Sequence, residues 1–152
     1  MKSQNEWFSE YAESHQNETN QKIHYICVPA IFFSIVGLLM TIPSDMITAI
    51  IGIHNPILGN WAALILVLLM VFYLQLSFKT FLLMAVFAVF SLYGNYYLST
   101  VAPLLLTSIL LFVVAWIGQF YGHKIEGKKP SFFKDLQFLL IGPAWVFEKM
   151  SR

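Results

Sequence analysis

The sequence predicts an all-α integral membrane protein: a bundle of about four transmembrane helices, with an N-terminal amphipathic helix and a C-terminal interfacial or re-entrant helical segment. Three observations carry this reading. Hydrophobic residues make up 58% of the 152 and charged residues only 11%, a balance unlike that of soluble globules. The apolar residues gather into four long runs separated by short links. Lys and Arg occur near the two tails and in one link, while the other two links have none. The length fits one membrane domain over residues 1–152. A single cysteine, Cys27, excludes an internal disulfide and a cysteine-based zinc or iron–sulfur site. No phosphate-binding glycine loop, Ser-His-Asp elbow or nucleic-acid motif occurs, so no nucleic acid is expected as a partner. No secretory signal is read, because the first apolar run follows a polar stretch of about twenty residues.

Taken in order, residues 4–15 predict a surface helix, with Trp7, Phe8, Tyr11 and His15 on one face of a polar stretch. Asn17 and Glu18 read as a helix start, Asn17 as N-cap and Glu18 in the first turn. A first span follows over residues 20–42, bent near its start by Pro29, which lacks an N–H and crowds the Tyr25 carbonyl. Pro43 ends it, and a mixed connector holds Asp45, His54, Asn55 and Pro56. Second and third spans, 59–76 and 80–97, flank the tight turn Ser77-Phe78-Lys79, and a fourth covers 104–122 after Pro103. Residues 131–150 are apolar between charges but contain Asp135, Gln137 and the pair Gly142-Pro143. That break favours an interfacial or re-entrant helix pair over a fifth span. Four spans return both tails to the side of Lys79, and the connectors 43–59 and 97–103 carry no Lys or Arg, so both termini are expected in the cytoplasm.

Gln119, His123 and Glu126 lie at i, i+4 and i+7, on one face at the end of the fourth span, with Trp116 one turn earlier. Such groups are costly at the end of a membrane helix unless something uses them. The topology gathers His15, His24 and His123 at the cytoplasmic end and puts His54 at the opposite connector. His15 and His24 are nine residues apart, about 180° on one continuous helix, so they share a site only if the chain breaks between them. The Asn17 cap supplies that break and leaves Asn17, Asn20 and His24 on one face. Imidazoles with one carboxylate or water suit zinc or non-haem iron without choosing between them. Zinc implies hydrolysis by an activated water, and iron implies oxygen chemistry. The bland readings stand beside these. The histidines would only satisfy hydrogen bonds in a lipid-binding or scaffold protein. Glu126 would cap a helix or pair with Lys128 or Lys129, Glu148 would be a solvated charge, and Asn17 and Asn20 would be caps.

The pattern Tyr11-x3-His15-x-Asn17-x2-Asn20-x3-His24-x4-Pro29 is followed late in the chain by Trp116-x2-Gln119-Phe120-x-Gly122-His123-x2-Glu126-Gly127-Lys128-Lys129-Pro130. Together with Gly142-Pro143-x4-Glu148, it resembles the 2-hydroxy-fatty-acid dioxygenase family over nearly the whole chain. The resemblance implies an Fe2+-dependent dioxygenase that takes a 2-hydroxy fatty acid and O2 to a fatty acid one carbon shorter, in a membrane. The membrane would be the inner membrane of a bacterium or the endoplasmic reticulum of a eukaryote. It implies His15, His24 and His123 as iron ligands and Glu126 as ligand or neighbouring partner, and it matches Asn20 and Glu148 to polar positions of the site. Gln119, Lys124, Lys128 and Lys129 are then the candidates for holding the substrate, the lysines by attracting its carboxylate. Glu18 stands where bacterial members commonly have proline, and either residue begins a helix. The alternatives kept are a non-enzymatic membrane lipid-binding or scaffold protein and a zinc-dependent lipid hydrolase.

Overall fold

The computed structural model describes residues 2–127 and 132–151, and the regular elements among them are seven α-helices, with no strand. The chain divides into two compact units, Met1–Phe32 with Val113–Arg152, and Phe33–Phe112. The first unit holds α1 (Gln4–Glu13), the start of α2 (Glu18–Met40), the end of α6 (Leu104–Glu126) and α7 (Phe132–Met150). The second holds the rest of α2 and of α6, with α3 (Asp45–Ile51), α4 (Trp61–Leu76) and α5 (Phe78–Val101).

By length and composition α2, α5 and α6 can each cross a membrane, while α4 is apolar but has only 16 residues, about 24 Å of helix. Their outward residues are apolar: Val67, Leu68, Val86, Phe90, Leu106, Val114 and Ile117 are all exposed. Water does not favour such a surface over three helices, and lipid does.

In the second unit Ser77 alone separates α4 from α5. Its extended backbone ends one helix, and its hydroxyl accepts from the Thr80 amide at 3.0 Å to start the next. Ser77→Ala is expected to cost about 1 kcal/mol, the usual worth of an N-cap, read as a lower thermal midpoint in detergent. The same unit buries Asn95, whose amide donates to the carbonyls of Phe33 at 3.0 Å and Ser91 at 2.9 Å. Gly37 lets Asn95 and Ser108 approach: a Cβ there would stand 2.5 Å from Asn95 Oδ1 and 2.3 Å from Ser108 Oγ.

Two local expectations change. The connector after Pro43 contains a short helix, α3, closed by Gly52 at φ 77°, where a residue with a Cβ would be strained. The expected helix pair at the C-terminus is instead one helix through Gly142-Pro143. The reason is packing. A Cβ at Gly142 would stand 2.9 Å from Val28 Cγ1 and 3.2 Å from Tyr11 Oη, so this glycine brings α7 close to α1 and α2 rather than breaking it. Ile141, Ala144, Trp145 and Val146 are buried along that contact.

Candidate functional site

The first unit brings three imidazoles together. Ser3 and Glu6 form a capping box that starts α1, which buries Tyr11 in its last turn and ends just before the buried His15. Asn17 then caps α2, its Oδ1 accepting from the amides of Thr19 at 2.9 Å and Asn20 at 3.2 Å. This change of direction puts His15 against His24 on the first turns of α2, with ring centroids 4.2 Å apart. His123 comes from α6, 5.3 Å from His24 and 5.8 Å from His15. All three are at most 5% exposed.

The close approach of α2 and α6 depends on Gly118 and Gly122, one turn apart. A Cβ on Gly118 would stand 2.5 Å from Cys27 Sγ, and one on Gly122 2.3 Å from Asn20 Oδ1 and 3.3 Å from His24 Cε1. This is the small-xxx-small device of membrane helix pairs, which lets backbones meet where side chains would hold them apart.

The rings are held by backbone. His15 Nδ1 bonds the Tyr11 carbonyl, and His24 Nδ1 bonds the Asn20 carbonyl at 2.8 Å. A carbonyl only accepts, so each Nδ1 carries the proton and each Nε2 presents its lone pair. Tyr11 stacks on His15 at 4.0 Å with 3° between the planes, which fixes that ring further. Burial holds the His15 pKa down at about 4, and His123 adds to this, while the Tyr11 carbonyl and Glu126 act the other way. His15 is therefore neutral at pH 7.

Glu126 ties the ends of the chain together. Its Oε1 accepts from the Gln16 amide at 2.8 Å, and its Oε2 accepts from the Asn17 amide at 2.9 Å and from Asn20 Nδ2 at 3.2 Å. Both oxygens are engaged with the α1–α2 link. The carboxylate thus sits where the first amides of α2 are otherwise without helical partners, and where the helix dipole favours an anion. Asn20, fully buried, also donates to the Ser14 carbonyl at 3.4 Å.

A cavity of about 10 Å³, room for one water or ion, is lined by Tyr11, His15, Val28, Gln119 and His123 with Phe138 and Leu139. Buried and without hydrogen-bond partners are His15 Nε2, His24 Nε2 and Gln119 Oε1. The donor chemistry fits a metal: neutral imidazoles presenting Nε2, with Nδ1–H fixed on carbonyls, are the usual arrangement around one. The rings pack edge to face, and among the described residues no group of three His, Cys, Asp or Glu converges on a common point.

The other sequence candidates lie apart from this cavity. Lys124 is exposed on the last turn of α6. Glu148 lines a groove between α1 and α7 with Lys149 and Trp145. His54 is exposed and belongs to the second unit. Lys128 and Lys129 lie outside the described residues. Missed by the sequence reading were the packing glycines and Trp145, whose ring is 4.9 Å from Tyr11 and 5.8 Å from His15. The Gly118-x3-Gly122 spacing was a usable signal for the glycines, and nothing local marked Trp145.

Comparison with known families covers the chain from end to end. The profile that matches residues 1–152 is described as Mpo1-like, 2-hydroxy-palmitic acid dioxygenase Mpo1-like. The chain belongs to the Mpo1-like family. No curated protein and no solved structure matches it. Membership in the Mpo1-like family agrees with the resemblance carried by the histidine and Gly-His-x2-Glu motifs, and it names a 2-hydroxy fatty acid as the family's substrate and a dioxygenase as its enzyme class.

Proposed function

We propose that this protein is an iron(II)-dependent dioxygenase that converts 2-hydroxy fatty acids to fatty acids one carbon shorter. The observation that carries the proposal is the buried trio His15, His24 and His123, with two Nε2 lone pairs facing no protein partner, in a chain of the Mpo1-like family. The reaction balances as 2-hydroxy acid and O2 giving the shorter acid, carbon dioxide and water. The bond between the carboxyl carbon and the carbinol carbon breaks, and the electrons these two carbons lose are those O2 takes up.

His15, His24 and His123 would hold the iron. When bound, it would supply sites for the substrate's oxygens and for O2. The chain's own part is to orient two imidazoles through the Tyr11 and Asn20 carbonyls, to keep His15 neutral by burial, and to exclude water. Glu126 acts as a positioning residue, holding the link that carries His15. Gln119 Oε1 lines the cavity and is available to accept from the substrate's hydroxyl. Lys124, Lys128 and Lys129 are proposed to attract the carboxylate from the cytoplasmic rim. For the chain as a whole we propose four spans, α4 included, with both termini cytoplasmic; Lys79 at the α4–α5 turn and the absence of Lys and Arg from the other two connectors support it.

The test is the metal content of protein purified under nitrogen, with oxygen uptake on 2-hydroxypalmitate in the presence of ferrous iron. Iron near one per chain and oxygen consumption matched to a shorter acid are expected. Zinc with lipid hydrolysis would favour a hydrolase. A metal-free protein, inert toward O2 and unchanged by His123→Ala, would leave a lipid-binding role.

A further inference from the structure

The histidine cavity, at about 10 Å³, takes one water or ion. The head of a 2-hydroxy acid, a carboxylate beside a hydroxyl-bearing carbon, is several times larger than a water. Some part of the wall must therefore give way when the acid enters. Five of the lining residues are packed inside: Tyr11, His15, Val28, Gln119 and His123 are at most 6% exposed. The other two, Phe138 and Leu139 of α7, are half-buried. Moving a packed interior side chain leaves voids or clashes, whereas a half-buried one can turn outward. The backbone is weakest at the same place. Pro143 has no amide N–H, so α7 lacks the bond that the Leu139 carbonyl would accept from four residues on. From Ile141 onward α7 is anchored by the buried Ile141, Ala144, Trp145 and Val146. The turn bearing Phe138 and Leu139 can thus tilt while that anchor stays in place. Phe138 meets Tyr11 edge to face, with ring centroids 5.2 Å apart and 79° between the planes. Leu140, next in sequence, is 38% exposed, so the outer side of this turn is apolar too.

Resting on the dioxygenase reading above, we propose that Phe138 and Leu139 form the entrance to the histidine cavity and determine which acyl chains it accepts. The carboxylate and the 2-hydroxyl pass inward to the imidazoles and Gln119. The acyl chain stays outside, leaving between the two side chains toward the apolar surface that Leu140 continues. The carbon next to the carbinol carbon then lies in the narrowest part of the passage. A linear chain fits there, and a methyl branch on that carbon meets Leu139. With the site empty, Phe138 rests on Tyr11 and the cavity is closed.

The first measurement needs neither metal nor substrate. The full chain in detergent, stripped of metal, is treated with diethyl pyrocarbonate. Modification of His15 is read by peptide mass spectrometry against the exposed His54 as internal reference. Phe138→Ala and Leu139→Ala are expected to speed His15 modification severalfold. Leu139→Trp, which adds bulk at the entrance, is expected to slow it below wild type. General loosening of the fold could only speed it, so the opposite signs separate an entrance from a loss of packing. Phe90→Ala, an exposed change on α5, is expected to leave the ratio unchanged. In turnover, the wild type is expected to prefer 2-hydroxypalmitate to its 3-methyl analogue. Leu139→Ala is expected to shrink that preference about tenfold in kcat/KM, the scale of one carbon in a hydrophobic pocket. Unchanged His15 modification in both Leu139→Ala and Leu139→Trp overturns the proposal. So does an active enzyme whose preference stays the same in Leu139→Ala. A protein inert toward every 2-hydroxy acid would instead remove the dioxygenase reading, with the entrance still decided by His15 modification.

Discussion

His24→Ala and His123→Ala are each expected to lower turnover of 2-hydroxypalmitate by roughly a hundredfold or more, since even outer partners of metal ligands are worth tenfold to a hundredfold. Iron per chain should fall in parallel. The two rings come from different helices, α2 and α6, and meet at 5.3 Å, so neither replaces the other. His24→Gln keeps most of the volume and should lose activity with a smaller change in thermal midpoint, which separates loss of the site from loss of packing. His54→Ala, an exposed change in the second unit, should stay within about twofold, an ordinary outcome for a surface position away from such features. Wild-type turnover in both alanine variants would remove the histidine trio from the mechanism.

The second large effect is expected at Glu126. Glu126→Ala removes the acceptor for two backbone amides and for the Asn20 side chain. Charge-assisted bonds of this kind are worth about 1.5–3 kcal/mol each, less where water reaches them. The α1–α2 link should loosen, and His15, which that link carries, should become more open to diethyl pyrocarbonate. Turnover should drop about tenfold to a hundredfold. Glu126→Gln keeps one acceptor oxygen and should fall between. If Glu126→Gln lost all iron while His15 stayed protected from the reagent, the carboxylate would be a ligand rather than an anchor.

Much of this was readable before any coordinates. Long apolar runs have one stable answer in a membrane, so α2, α5 and α6 follow from composition and length. The Asn17 cap was visible because Asn followed by Glu is a local signal, and it produced the turn that pairs His15 with His24. The role of Glu126 was not visible, since its partners Gln16 and Asn17 are more than a hundred residues away and contribute backbone amides, which sequence does not distinguish. Gly142-Pro143 misled for the same reason. The pair has the composition of a break, and only the neighbouring Val28 and Tyr11 show that the glycine serves close packing. Trp145 acquires meaning from α1 lying beside α7, a contact with no local signature.

The bond from Glu126 to Gln16 closes a loop of 110 residues. Closing so long a chain costs on the order of 4 kcal/mol in entropy beyond a constant, so it is repaid late in biogenesis. The α4–α5 hairpin, joined through Ser77 alone, can assemble as soon as it leaves the translocation machinery. The imidazole trio cannot, because His123 and the anchor for His15 are made only after the preceding helices are in place. A nascent or truncated chain that stops before α6 is complete therefore lacks both His123 and the Glu126 anchor. On the proposed function, the order of synthesis itself would keep oxygen chemistry away from an unfinished chain.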